Sequence, residues 1–311
     1  MVGPRGRVLL IFLDGVGIGP DDPARNPFLR AKLPTLRSLV GGVPTLENRT
    51  PRSDTAAVLP LDATLGVQGR PQSGTGQTAL LTGLNAARIF GRHFGPWTPV
   101  RLRPLLAEAN LLRKVREHGL RVAFANAYPK GYPKGVKTRR VAAPPLAALS
   151  ANALNRHAVH LRDGSAVASD ILNGRWKRHF GHRDLPDITA EEAGHNLAAI
   201  AGNADLTLFA HYATDHAGHH GGLPEAAGAL ERVDRLISGV LAKIDRDTLV
   251  VIASDHGNIE ELTGKHTRNP VMGMLIRGAG LGGLPTARLE SIQDVAPFLL
   301  EHLGVDGPAA S

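Results

Sequence analysis

The chain has no cysteine among its 311 residues, which excludes a disulfide framework, a thiolate zinc site and a cysteine nucleophile. Any nucleophile is therefore a serine, a threonine or another side chain, and a reducing cytoplasm is the expected compartment. Aromatic side chains are scarce, with 2 Trp, 3 Tyr and 8 Phe. That leaves little for the stacking platforms that single-stranded nucleic acid needs. Long apolar runs are lacking as well. The run near the start, Val8 to Leu13, stops at Asp14, well short of the roughly 20 residues that cross a bilayer and too short for a secretion signal. A soluble, unexported chain with no membrane partner is expected.

Basic residues outnumber acidic ones, with 36 Lys and Arg against 28 Asp and Glu, and 28 of the basic residues are Arg. Guanidinium groups suit phosphate and carboxylate, yet an Arg habit also arises from genome composition or thermophily. Charge alone thus leaves nucleic acid, anionic membrane and small phosphorylated substrates open. Hydrophobic residues at 42% and charged residues at 21% describe an ordinary globular chain of one or two domains. The 36 Gly and 22 Pro imply many loops.

Arg7 to Leu13 reads as a buried parallel strand that ends at Asp14-Gly15. Leu120 to Ala125, Asp205 to His211 and Thr248 to Ala253 follow the same form, so polar residues collect at strand ends. Helical spacing covers Phe28 to Val40, Arg103 to His118, Ala190 to Ala201, Glu225 to Ile244 and Ser291 to Leu303, with Ser291 and Asp294 as a cap signal. Alternating strands and helices predict an α/β fold: a mostly parallel sheet flanked by helices, with ligands at the carboxyl ends of its strands. Between Phe94 and Pro186 the pattern degrades, and the densest basic run, Lys130 to Arg140, lies there. This predicts a core of 1–93 and 187–311 with a smaller inserted α+β cap at 94–186.

Four islands could carry chemistry. They are Leu13 to Gly17, Pro71 to Gln77, Thr214 to His219, and Ser254 to Asn258 with His266 to Pro270 following. Taken singly, Asp14-Gly15 could be a strand exit, Asp215 and His219 a helix-face pair, and His266 a surface group. Together, three Asp, three or more His and a hydroxyl suit Zn or Mn, in numbers sufficient for two ions. The Ser73 segment superficially follows a phosphate-binding loop, Gly69-x-x-x-x-Gly74-Thr75, but lacks the Lys that such a loop needs. Ser73 instead precedes a helix over Gln77 to Thr82, where helix N–H groups favour an alkoxide and a phosphate. Thr75 is the alternative nucleophile.

The series DGVG, QSGTGQT, TDHAGH, SDHGN and HTRNP, in that order, resembles the alkaline-phosphatase-like metalloenzyme superfamily, in the branch of cofactor-independent phosphoglycerate mutases and phosphopentomutases. The likeness covers about 1–90 and 200–305. It implies one divalent ion, Mn²⁺ or Zn²⁺, on Asp215, His219 and His266, and a second on Asp14, Ser73, Asp255 and His256. One departure is Gln77, where the family pattern has His. Another is the insert, shorter than that of the phosphoglycerate mutases.

The expected activity is two-metal phosphoryl transfer on a small phosphomonoester through a phosphorylated Ser73, as in a phosphomutase. A metal-dependent phosphatase or phosphodiesterase is the alternative. A basic nucleic-acid-binding protein with a relic core is a third reading, but a relic has no reason to keep seven metal-facing groups in register. Lys137, Arg139 and Arg140 in the basic run are candidates to grip substrate, against a solvated loop. Oligomeric state and substrate identity stay open.

Overall fold

A computed structural model describes residues 6–133, 140–277, 283–285 and 288–305. One six-stranded sheet holds β1 (Arg7–Leu13), β2 (Ala56–Leu61), β3 (Val122–Phe124), β4 (Leu206–His211), β5 (Thr248–Ser254) and β6 (Val271–Ile276). Their order is β2-β6-β5-β1-β4-β3. β5, β1, β4 and β3 run parallel, and β6 pairs antiparallel with both β5 and β2.

Strand β1 is almost wholly apolar because both of its faces are covered. Leu9, Ile11 and Leu13 point into one core, while Val8, Leu10 and Phe12 point into the other, the two-residue period of a pleated strand. The first core is closed by α1 (Pro34–Val40), α9 (Ala190–Gly202) and α11 (Leu223–Lys243). The second takes α2 (Ser73–Thr82), α4 (Arg103–Ala109), α5 (Leu111–Glu117), α6 (Ala143–Ser150) and α12 (Val295–His302). Of the short helices, α3 (Ala86–Phe90) adds Ala86 and Ala87 to the second core, α7 (Ala158–Arg162) and α8 (Gly174–His179) supply a smaller cluster, and α10 (Ala213–His220) follows β4 directly.

Four expected strands are present with small changes of boundary, while β2 and β6 are additions. Helix boundaries differ where a local rule wins. Phe28 to Val40 is a 3₁₀ turn at Pro27–Leu29 followed by α1, because Pro34 fits a first turn and not an interior. Arg103 to His118 breaks at Asn110, whose side chain accepts from Arg113 N and so caps α5. The helix expected at Gln77 starts instead at Ser73.

Segment 94–186 is divided. Its β3 extends the sheet beside β4, and Leu106, Leu112, Val115 and Ala147 pack into the second core with Val8 and Phe12. Only the part after β3 has a cluster of its own, built on Ala127, Leu161, Ala168, Trp176 and Leu185. An apolar strand and three helices, α4, α5 and α6, bury more surface against the sheet than in a detached cap. Lys137 and Arg139 lie outside the described residues; Arg140 is exposed, its guanidinium 5.0 Å from the Trp97 ring. Among the described residues no helix is long and apolar enough to cross a membrane.

Helices α9 and α11 touch backbone to backbone at two glycines. A Cβ on Gly194 would run into the Leu236 carbonyl oxygen, and one on Gly239 into that of Glu191. Gly228, also in α11, has open space instead, its nearest neighbour the Arg232 guanidinium at 3.8 Å. Gly239→Ala should therefore destabilise the protein by about 3 kcal/mol through overpacking. Gly228→Ala should stabilise it by about 0.5–1 kcal/mol through helix propensity. Urea unfolding of both variants checks the pair of signs.

Candidate metal centre

The sheet register delivers the site. Leu13 of β1 lies beside His211 of β4 and Ser254 of β5, so the residues that follow emerge side by side at one edge. Asp14 leaves β1, Asp255 and His256 leave β5, and Asp215 stands in the first turn of α10 just after β4. β6 runs antiparallel to β5, so the loop that enters it brings His266 to the same edge. Ser73, the first residue of α2, completes the ring.

Glycines permit the close approach. Gly76 places α2 against the Asp255 backbone, where a Cβ would sit 2.7 Å from the Asp255 carbonyl oxygen. Gly15, at φ +71°, turns the chain under Asp215, where a Cβ would sit 2.7 Å from Asp215 Oδ1. Both positions exclude any larger residue.

All seven expected residues come together. His256 Nε2 lies 3.0 Å from Ser73 Oγ, 3.1 Å from Asp14 Oδ1 and 3.7 Å from Asp255 Oδ2. Asp215 Oδ1 lies 3.5 Å from His219 Nε2 and 3.6 Å from His266 Nε2. The ligand-type atoms form two groups, Asp14 with Asp255 and His256, and Asp215 with His256 and His266. His256 thus belongs to both. Thr75 turns away: its hydroxyl lies against the carbonyls of Gln72 and Phe94 and accepts from Phe94 N.

The donor chemistry fits divalent cations. Each imidazole places Nδ1 against a backbone carbonyl: His256 on Gly257 at 3.3 Å, His219 on Gly264 at 3.4 Å and His266 on Pro71 at 2.9 Å. A carbonyl only accepts, so Nδ1 carries a proton and Nε2 is the nitrogen turned toward the carboxylates, available to a cation once it gives up any proton of its own, the arrangement of a metal-ligating histidine. His219 Nε2 and His266 Nε2 then face each other at 3.0 Å. Two lone pairs at that distance repel unless a cation lies with them. Among the described residues, neither Asp14 Oδ1 nor Asp255 Oδ2, both buried, accepts a hydrogen bond.

Electrostatics agree. Burial, helped by the charge of Asp255, pushes the Asp14 carboxyl well above its usual range, and burial also raises Asp255. Burial works against a charge on His256, yet Asp255 and the contact with Asp14 hold it up at about 10. Burial and the charge of His256 drive His266 down to about 4. Without cations the cluster must gather protons to relieve its own charge.

Three further residues, given no role in the site from the sequence, brace the ring. Gln77 donates from Nε2 to Asp14 Oδ2 at 3.1 Å and accepts from Ala143 N, an orienting role for the residue that departs from the family pattern. Asn258 donates to Asp215 Oδ1 at 2.6 Å. Buried Glu260 accepts from Gly17 N, Asn258 N, the Thr267 hydroxyl and Asn269 Nδ2. Asn258 follows Asp255 closely enough to be suspected, but no spacing marks Glu260.

Comparison with known proteins places the fold and the family. The fold is the alkaline-phosphatase-like α/β class: the PH0037 protein from Pyrococcus horikoshii superposes with a TM-score of 0.57 at 15% identity over 98% of both chains. An alkaline phosphatase from the Antarctic bacterium TAB5 superposes at 0.51 and 10% identity, over 97% of this chain and 99% of that one. Residues 6–307 match the family model of the Metalloenzyme superfamily, and the chain belongs to that family. In sequence it is 34% identical over 131 residues to a 2,3-bisphosphoglycerate-independent phosphoglycerate mutase of Desulforudis audaxviator, covering 40% of this chain and 25% of that protein. It is 36% identical over 138 residues to the enzyme of the same name from Chloroflexus aggregans, with the same coverage. The chain thus aligns to about a quarter of the length of these curated relatives.

Metal analysis of purified protein loaded with Mn²⁺ or Zn²⁺ should give close to two equivalents, falling by at least one in Asp255→Ala. At a metal concentration a hundred times the dissociation constant, binding should add about 2.7 kcal/mol of stability, read as a higher melting temperature that chelation reverses. Less than one equivalent in the loaded wild type would remove the metal centre.

Proposed function

We propose that the chain is a two-metal phosphoryl-transfer enzyme that acts on a small phosphomonoester through a phosphorylated Ser73, in the manner of a phosphomutase. The observation that carries this reading is the convergence of a helix-start serine with Nε2-presenting imidazoles and buried carboxylates whose oxygens lack partners. Asp14, Ser73, Asp255 and His256 would hold one ion, and Asp215, His219 and His266 the other. A carboxylate and imidazole donor set without thiolate suits Mn²⁺ or Zn²⁺. Two such ions, when bound, supply charge neutralisation at the phosphoryl oxygens and lower the pKa of a coordinated hydroxyl.

The chain's own groups do the rest. Ser73 Oγ forms a bond to phosphorus as the ester oxygen leaves with its alcohol, and the serine proton ends on that alcohol. The α2 N-terminus favours both the developing alkoxide and the phosphate that replaces it. Gln77 holds Asp14, and Asn258 holds Asp215, so neither carboxylate rotates during the transfer. Arg140 sits over Trp97, whose backbone carbonyl lies against Gly74 in the first turn of α2, and its charge on that side favours the approach of an anionic ester.

The phosphate then returns to a hydroxyl of the substrate or passes to water. Side chains of His219 and Asp215 keep 28% and 19% exposure, an opening that supports hydrolysis as the second outcome. Lys137 and Arg139 are proposed as further substrate contacts on charge alone.

Acid-quenched intact-mass analysis during turnover should find one phosphate on Ser73. Ser73→Ala should lose about a thousandfold or more in kcat, about 4 kcal/mol, while keeping most of its metal. Thr75→Ala should be milder, its loss confined to the Phe94 loop. An active Ser73→Ala enzyme with an inactive Thr75→Ala partner would reverse the assignment.

A further inference from the structure

A cavity of about 520 Å³ opens between α10 and the segment that follows β3. Five rings line it, those of Tyr128, Tyr132, Trp176, Phe180 and Tyr212, although the whole chain has only 13 aromatic residues. Its polar walls include Asp170, Arg175 and His216. A more open groove of about 780 Å³ continues from it, sharing Asp170, Arg175 and Phe180 and adding Arg178 and Arg232. The volume falls in the range of small-molecule sites. A short polyol or a three-carbon acid would leave its rings bare.

The cavity is lined by chain neighbours of the candidate metal ligands. Tyr212 lines it and packs edge-on against Phe12, 6.3 Å between centroids, two residues before Asp14. Ala213 and His216 line it as well, on either side of Asp215 in α10.

The turn that presents Asp170 is held from below. Buried His211, at the end of β4, lies with Nδ1 2.8 Å from the Ser169 carbonyl. Buried Asn126 donates to Ser169 Oγ at 3.1 Å and to the Ala210 carbonyl at 2.7 Å. Ile171, next in the chain, is buried at φ +73°, a conformation that costs a β-branched residue dearly and that clusters at ligand sites.

We propose that this cavity is the specificity pocket for a phosphomonoester whose alcohol carries a flat aromatic or heterocyclic ring with a hydrogen-bond donor, the chemical class of a nucleoside monophosphate. The ring lies among the aromatic walls, Asp170 accepts from its donor, and the phosphate reaches Ser73. The proposal rests on the phosphoryl-transfer reading for the position of the phosphate, but ring binding can be measured without turnover.

Trp97→Phe leaves Trp176, in the cavity wall, as the sole tryptophan. In that Mn²⁺-loaded background, adenosine 5′-monophosphate should quench tryptophan fluorescence saturably and glycerol 3-phosphate should not. Adding Phe180→Ala, an exposed position, or the isosteric Asp170→Asn should weaken the quenching at least tenfold. Either change should lower the ratio of kcat/KM for adenosine 5′-monophosphate over glycerol 3-phosphate by a similar factor. Saturable, Phe180-dependent quenching without turnover of any ester would uphold the pocket and defeat the phosphoryl-transfer reading. Turnover with no quenching and no preference for the ring would overturn the pocket and leave that reading intact.

Discussion

Asp14, Asp215 and Asp255 stand with three imidazoles around one serine, and two of these carboxylates, Asp14 and Asp255, are buried. Withdrawing an ion from water costs several kcal/mol even after relaxation, and like charges placed together add to it. His256 relieves part of this by lying between the two groups. One proton on one ring nitrogen does not satisfy two carboxylates that each keep a partnerless oxygen. The surrounding contacts hold the anions together and do not disperse them: Gln77 on Asp14, Asn258 on Asp215, Gly15 N on Asp255. Such a design is stable when cations supply the missing charge.

The fold makes that concentration possible through register. In a parallel sheet with both faces covered, the strands are fixed by their cores, since a slip of one residue would exchange the two faces. Leu9 and Ile11 on one side and Val8, Leu10 and Phe12 on the other make that exchange costly for β1. Once the strands are fixed, so are the residues that leave them. Glu260 then ties the Gly17, Asn258 and Thr267 loops to one buried carboxylate, with no fewer than four donors to offset its own desolvation.

Much of this was legible in the sequence. The β1 and β5 runs are followed by acidic residues, Asp14 and Asp255, and five short motifs contain the seven residues that the fold brings together. The antiparallel β2 and β6 were harder to read, since β2 contains Pro60, tolerated at a sheet edge. Asn110 and Pro34 divided two helical patterns that periodicity alone made continuous. Glu260 was invisible because Gly17 lies 243 residues away and Asn258, Thr267 and Asn269 meet it only through the folding of the loop between β5 and β6. The aromatic walls of the cavity were hidden for a similar reason: Tyr128, Trp176 and Tyr212 lie far apart in sequence and meet only through the packing of the post-β3 segment on β4.

That packing bears on whether the cavity exists before a ligand arrives. The left-handed backbone at Ile171 costs about 1–3 kcal/mol. Burying the isoleucine side chain returns about 1.5–3 kcal/mol, and each of the buried hydrogen bonds from His211 and Asn126 adds about 1 kcal/mol. The sum favours the observed turn without help from substrate. Asp170 is therefore presented in place, by a strand end that also leads into Asp215, and a ligand entering here bears little of the ordering cost that a disordered lid would impose. On the proposed reading, the end of β4 serves both parts, since His211 holds the Ser169 turn and α10 with Asp215 follows directly, so the separation between a bound ring and its phosphate would be set by one strand and would favour one length of substrate over others.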